Sequence, residues 1–203
     1  VDMVQGGAGT SSNMNATEVI ANIALEIMGY RKGEYQSCHP NDHVNRSQST
    51  NDAYPTAVKI AVVASTHETV SALKELEKSF REKAEEFADV IKMGRTENQD
   101  AVPMTLGQEF AAYAVMVNDG IRRLERISKE LLIVNMGATA IGTGLNSPRG
   151  YAALCTRKLN ECSGLHVKLA HDLVEATQDA GDFAEMSSAL KVTALQISKI
   201  CND

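Results

Sequence analysis

The stretch LGQEFAAYAVMVNDGIRRLERISKEL, residues 106–131, carries the most regular apolar pattern in the chain. Leu106, Phe110, Tyr113, Val117, Ile121, Leu124, Ser128 and Leu131 recur in steps of three and four. Such steps align side chains on one face of an α-helix, and sustained over about seven turns they predict a bundle seam.

Upstream lies a second seam. Val58, Val62, Leu73, Leu76, Phe80, Ala84 and Phe87 follow Pro55, a residue suited to a first helical turn. Lys74, Glu75, Glu77, Lys78, Arg81, Glu82, Glu85 and Glu86 fall on the other side and read as a solvated face with i,i+4 pairs. The pattern predicts two long helices, near 55–88 and 104–135, packed roughly antiparallel. Between them, 90–93 reads as a short extended piece and 94–103 as a polar loop. Helices of this length span ~45 Å at ~1.5 Å per residue, a reach that belongs to a long multi-helix bundle.

Farther out the chain is less regular. A glycine-rich turn region (137–148) leads to a short helix near 151–162, stopped by Gly164. A last helix starts near Asp182 with the stripe Phe183, Met186, Leu190, Ala194, Ile197 and Cys201. The first 50 residues are polar and irregular, apart from one short helix with the face Val19, Ile23 and Ile27. Asn13 or Asn15 is its expected N-cap and Gly29 its stop. The chain opens Val1-Asp2-Met3-Val4 directly into glycines, and the final apolar period is still running at Ile200 and Cys201. The expectation is an internal fragment of a longer protein.

Composition agrees with helix-on-helix packing. The 203 residues are 43% hydrophobic, enough for one domain or one and a half, while Trp is absent and aromatics make up 4%. The core must be built from Ala, Val, Ile, Leu and Met, which fits an all-α fold better than an aromatic-rich sandwich. A net charge of −6 without a basic run argues against nucleic acid. No segment reaches the ~18 consecutive apolar residues of a membrane helix. Cys38, Cys155, Cys162 and Cys201 form no C-x-x-C and read as reduced thiols of a cytoplasmic protein. His39 and His43 are separated by Pro40, and no Cys, His, Asp or Glu cluster has metal-ligand spacing. Gly142-Thr143-Gly144 lacks the strand–turn–helix setting of a dinucleotide loop.

Three polar stretches could carry chemistry. Gly6-Gly7-Ala8-Gly9-Thr10-Ser11 precedes a helix and has free N–H groups for an anion, though on its own it reads first as a loop with a tight turn. Gln48-Ser49-Thr50-Asn51-Asp52 precedes the first long helix. Its hydroxyls and amide suit either a carboxylate site at a helix N-terminus or simple capping. Gly94-Arg95-Thr96-Glu97-Asn98-Gln99-Asp100 offers a cation and a hydroxyl in what reads first as a solvated connection.

Together these stretches resemble one family, the aspartase/fumarase superfamily of lyases. Gly7-Ala8-Gly9-Thr10-Ser11 with Asn13-Met14-Asn15, and Gln48-Ser49-Thr50-Asn51-Asp52 after Pro40-Asn41-Asp42-His43, are similar to its first two substrate-binding stretches. Met93-Gly94-Arg95-Thr96 with Gln99-Asp100-Ala101-Val102-Pro103 is similar to the third, and residues 137–146 to the turn that follows. The resemblance runs in order over essentially the whole chain. It implies an all-α fold that is part of a long helical bundle: residues 1–51 would be the end of a mixed N-terminal domain, and 52–203 the first part of the central bundle. Class II fumarases usually carry Ser-Gly-Thr-Gln, Ser-Ser-Asn-Asp and Gly-Gly-Thr-Ala where this chain has Ala8-Gly9-Thr10-Ser11, Ser49-Thr50-Asn51-Asp52 and Gly137-Ala138-Thr139-Ala140. These differences favour the aspartase branch.

The implied reaction is reversible elimination of ammonia from L-aspartate to give fumarate, without a cofactor and without metal ligands in this chain. By resemblance Thr10, Ser49, Thr50 and Thr96 donate to the substrate carboxylates, and Asn51 helps hold the amino group. The family's base serine belongs to a mobile loop, Gly-Ser-Ser-x-Met-Pro-x-Lys-x-Asn, expected downstream of Asp203, so these residues alone should be inactive. The family forms homotetramers with active sites shared between subunits. Glu97 stands where relatives carry His or Gln, and its role stays open; His39-Pro40-Asn41-Asp42 matches a second acid site of fumarases. The competing expectations are a class II fumarate hydratase and a non-catalytic helical assembly module.

Overall fold

The computed structural model describes residues 4–203, so Val1-Asp2-Met3 and the reading of them as an interior start lie outside the described residues. In chain order the elements are α1 (Thr10–Ile27), a wide π-type turn (Pro40–Val44), α2 (Thr50–Glu86), β1 (Ile91–Thr96), β2 (Gln99–Thr105) and α3 (Leu106–Glu130). They continue with β3 (Ile133–Val134), α4 (Tyr151–Ser163), β4 (Lys168–Leu169), α5 (Leu173–Gln178) and α6 (Gly181–Asn202). The fold is mostly helical, as expected. Two compact units divide it. One takes the chain up to Ala61 together with Leu131–Asp179; the other takes Val62–Glu130 with Ala180–Asp203.

The second unit is a helical core with a hairpin. The stripe of α3 is buried as read: Tyr113, Val117, Ile121, Leu124 and Ser128 all face inward, and Leu124 is fully buried. Phe80 of α2 and Phe87, just past its end, meet Phe110 and Tyr113 with ring centroids 5.6–6.1 Å apart. Contacts of Phe87 with Phe110, Phe80 with Tyr113 and Lys74 with Glu125 run in opposite chain directions, so this part of α2 is antiparallel to α3. On α6 the buried residues are Met186, Ala189 and Thr193. This corrects the expected stripe, since Leu190 and Cys201 are exposed. The correction has a packing cause: Gly120 of α3 lies against Thr193, and a Cβ at Gly120 would meet its hydroxyl at 3.0 Å. Small residues bring these two helices close at Gly120 and Thr193, and Leu190 is turned aside.

The polar loop expected at 94–103 is instead a hairpin. β1 and β2 pair antiparallel from Ile91↔Thr105 to Thr96↔Gln99, with a bulge between Met93 and Arg95. Most of its side chains are exposed, so no alternating apolar pattern marks it in sequence. Pro103 is tolerated because a two-stranded ribbon leaves half of its N–H groups unpaired. Glu97 opens the two-residue turn with φ +53°. The half-buried Lys92–Glu109 pair, at 2.7 Å, ties the ribbon to α3.

The first unit mixes helices with a short parallel pair, β3 and β4, in register Ile133↔Lys168 and Val134↔Leu169. The helix expected to reach residue 135 ends at Glu130, where β-branched Ile133 and Val134 enter this ladder. A parallel pair needs a crossover, and α4 provides it. Val134, Met136 and Val167 form the core, covered by Ala53, Tyr151, Cys155 and Leu159.

In α1 the expected face is wrong. Val19, Ile23 and Ile27 are exposed, and Thr17, Ala21 and Leu25 are buried. The helix is apolar on more than one side, so periodicity does not select the inner one. Nor is Asn13 or Asn15 the N-cap: Gly9 holds that position at φ +92° and the helix begins at Thr10.

Gly107 tests the second unit. A Cβ there would lie 2.4 Å from the Ala84 carbonyl oxygen and 2.8 Å from Ala88 Cα, both backbone. Gly107→Ala should destabilise the protein by about 1–3 kcal/mol, the usual cost of overpacking. Urea denaturation measures it, and an unchanged midpoint would contradict this packing.

Candidate functional site

The site grows from the start of α2. Ser49 precedes the helix, and its hydroxyl accepts from Asn51 N at 3.1 Å. Asp52 answers three residues on: its Oδ1 accepts from Ser49 N at 3.0 Å. This reciprocal pair is a capping box with aspartate in the usual Glu position. It starts the helix at Thr50 rather than at Pro55, where sequence placed the start.

Asp52 does more than cap. Its side chain is fully buried, and Oδ2 accepts from Gly137 N at 3.2 Å and Thr139 N at 2.9 Å. Burial pushes the carboxyl above its ordinary value, while the N–H groups of Thr139, Ser49, Ala53 and Gly137 pull it back. One carboxylate therefore joins the start of α2 to the turn after β3. Asn51 adds a second tie, since its Nδ2 donates to the Ala140 carbonyl at 2.7 Å.

The glycine-rich loop closes the other side. A Cβ on Gly9 would stand 2.6 Å from the Tyr54 ring, so the loop lies directly on α2 only because position 9 has no side chain. One turn into α1, Asn13 Nδ2 donates to Thr50 Oγ1 and to Asn45 Oδ1, each at 3.2 Å. Thr10 lies between these two contacts, exposed on the first turn of α1. A cleft of about 540 Å³ results, with Ala8, Thr50, Asn51, Tyr54, Ala140 and Thr177 among its walls.

Four of the five expected site residues, Thr10, Ser49, Thr50 and Asn51, thus belong to the first unit, and Thr50 and Asn51 line the cleft. Thr96 belongs to the second unit, exposed at the end of β1 opposite Gln99. Glu97 beside it is an exposed turn residue. His39 is engaged within its own turn, where Nδ1 accepts from Asn41 N and Asp42 N. The structure also adds partners that sequence did not single out as site residues: Asn13, Asp52, Tyr54 and Asn135. Asn13 and Asp52 had a signal, lying inside the quoted motifs. Asn135, 84 residues from its partner Asn51, had none.

The hydroxyl chemistry is specific. Each oxygen of Ser49 and Thr50 already accepts one hydrogen bond, which leaves the hydroxyl proton as the group still to be donated. Asn51 has committed an amide proton to Ala140, and its Oδ1 is the remaining acceptor. These groups surround a helix N-terminus, whose dipole favours an anion. The arrangement can hold a carboxylate beside a cationic donor.

Asp52→Asn tests the carboxylate. All its partners are N–H donors, so an amide would turn its own NH2 toward at least one of them. A loss of about 1–3 kcal/mol is expected in urea denaturation, the cost of a buried group left unpaired. A variant as stable as the wild type would mean that these donors do not need a carboxylate.

Comparison with known proteins gives the same direction. A family model described as lyase matches residues 1–203. The aspartate ammonia-lyase of Escherichia coli (strain K12) is 55% identical over 203 residues, which is 100% of this chain and 42% of that protein. The aspartate ammonia-lyase of Helicobacter pylori (strain ATCC 700392 / 26695) is 56% identical over 100% of this chain and 43% of its own length. Among solved structures, a fumarate lyase:delta crystallin from Brucella melitensis superposes with a TM-score of 0.97 at 52% identity, over 100% of this chain and 44% of that one. A class II fumarase from Schistosoma mansoni does so with a TM-score of 0.89 at 30% identity, over 98% of this chain and 45% of that one. The chain spans less than half the length of the curated relatives it matches. With the family model covering every residue, the chain belongs to the lyase family that includes aspartate ammonia-lyases and class II fumarases.

Proposed function

We propose that the full-length protein carrying this chain is an aspartate ammonia-lyase, eliminating ammonia from L-aspartate to give fumarate. The observation that carries the reading is the set of uncommitted groups at the start of α2: two hydroxyl protons, from Ser49 and Thr50, beside the Oδ1 of Asn51. L-Aspartate presents the complementary pattern, carboxylates next to an ammonium.

The chemistry requires loss of a Cβ proton next to the β-carboxylate. The electron pair moves into that carboxylate as an aci-carboxylate dianion, then returns to form the double bond as the amine leaves. Carbon acidity is low, so the rate depends on donors already aimed at the developing charge. Ser49, Thr50, Thr10 and Thr96 are the donors in this reading, and Asn51 Oδ1 faces the ammonium. The base is the serine of the family's mobile loop, outside these 203 residues. Greater identity to the aspartases, 55–56%, than to the class II fumarase, 30%, supports elimination of ammonia over hydration. We place the enzyme in the cytoplasm as a homotetramer with shared sites. Support for assembly comes from Ile20 and Ile23 on α1 and Leu190 and Leu195 on α6, each at least 43% exposed.

Thr50→Val should lower turnover on L-aspartate ~10²–10³-fold, as loss of one preorganised donor does, while Thr50→Ser keeps most of it. Steady-state ammonia release measures both, and a valine variant within a few-fold of wild type would make the hydroxyl structural. On one preparation, ammonia release from aspartate should far exceed fumarate formation from malate. Equal or greater malate activity would overturn the assignment in favour of a fumarate hydratase.

A further inference from the structure

We propose that Asn135 is a positioning residue for the substrate-facing amide of Asn51, replacing a helical hydrogen bond that Pro55 cannot make. The inference rests on the reading of Asn51 given above.

The reasoning starts from α2. A regular helix would satisfy the Asn51 carbonyl with the N–H of residue 55, four positions on. Residue 55 is proline, which has no N–H and whose ring crowds the carbonyl four residues back. The helix nevertheless continues through Pro55 without a break, from Thr50 to Glu86. The donor comes from elsewhere: Asn135 Nδ2 reaches the Asn51 carbonyl at 2.9 Å. Asn135 is itself only 3% exposed, so water is a poor substitute there.

The amide of Asn135 is held in one orientation by its second bond. Nδ2 also donates to Thr177 Oγ1 at 3.1 Å, and that hydroxyl spends its own proton on the Leu173 carbonyl at 2.7 Å. Thr177 can therefore only accept from Asn135, and both neighbours require the NH2 side. Asn51 is consequently gripped at two points. Its side chain is tied to Ala140 and its main chain to Asn135, on either side of the Gly137–Thr139 segment held by Asp52. Freedom of the main chain at Asn51 would swing the whole residue, and Oδ1 with it.

Pro55 and Asn135 should thus be coupled. Replacing proline by alanine supplies the missing N–H within the helix, after which Asn135 is no longer needed for this carbonyl. The test is a double-mutant cycle in the full-length protein: wild type, Asn135→Ala, Pro55→Ala and the double variant, with Asn51→Ala as reference. In the wild-type background Asn135→Ala should lower kcat/KM for aspartate on the order of tenfold or more, as expected for an acceptor left unpaired. In the Pro55→Ala background the same substitution should cost no more than about threefold. A merely structural role for Asn135 would give the same loss in both backgrounds.

Two results overturn the proposal. One is an Asn135→Ala enzyme within about twofold of wild type while Asn51→Ala is strongly impaired. The other is an equal loss in both backgrounds. If the wild type releases no ammonia from aspartate, the proposed function fails separately. Urea midpoints of the same four proteins then decide the coupling: a smaller shift for Asn135→Ala in the Pro55→Ala background supports it, and additive shifts overturn it.

Discussion

The first unit depends on a charge placed where charges are expensive. Asp52 has no solvent exposure, and a buried carboxylate without partners would cost several kcal/mol. It is held by main-chain N–H groups from its own helix start and from Gly137 and Thr139, 85 and 87 residues away. The N-terminal end of α2, with its positive dipole, adds favourable potential. Thr50 and Asn51 lie between Ser49 and Asp52, so whatever fixes Asp52 fixes them. Few alternative side chains satisfy this position. An amide lacks the second acceptor, and an apolar residue leaves the N–H groups of two segments unpaired.

That arrangement makes the two readings of Ser49-Thr50-Asn51-Asp52 compatible. Capping and carboxylate binding look like alternatives in sequence because both need a hydroxyl at a helix start. A hydroxyl has lone pairs and one proton, and the two tasks draw on different parts of it. Ser49 caps with its oxygen, and Thr50 uses its oxygen to receive Asn13; in both the proton is left over. The same bonds that order the helix start also aim the groups proposed to meet substrate.

Legibility in sequence followed one-sidedness. The stripe of α3 was read correctly from Tyr113 to Leu131 because apolar residues occupy one face and charges the other. In α1 the eye goes to Val19, Ile23 and Ile27, yet the inner face is Thr17, Ala21 and Leu25, where Thr17 returns its hydroxyl to the Met14 carbonyl. The hairpin at 91–105 escaped because its side chains are mostly exposed and its order lies in main-chain pairing, which leaves little compositional trace. The proposed site residues Thr10, Ser49, Thr50, Asn51 and Thr96 come from family resemblance rather than periodicity. Asn135 was legible through neither, since its role is created by a proline far away in the chain.

Thr96, proposed above as a substrate donor, sits on an element that is weak by itself. A two-stranded ribbon has little independent stability in water, and a catalytic donor needs placement to within a fraction of an ångström. The base of the ribbon compensates. Lys92 reaches Glu109 on the first turn of α3, and the Leu106 and Gly107 N–H groups bond back to Val90 and Phe87. β2 runs straight into α3 at Thr105, so the ribbon inherits direction from the most buried helix stripe of its unit. At the far end Glu97 adopts a left-handed conformation that costs a non-glycine residue about 1–2 kcal/mol, and its side chain stays in solvent. Thr96, paired with Gln99 across the last rung beside this turn, has its main chain fixed by the ladder.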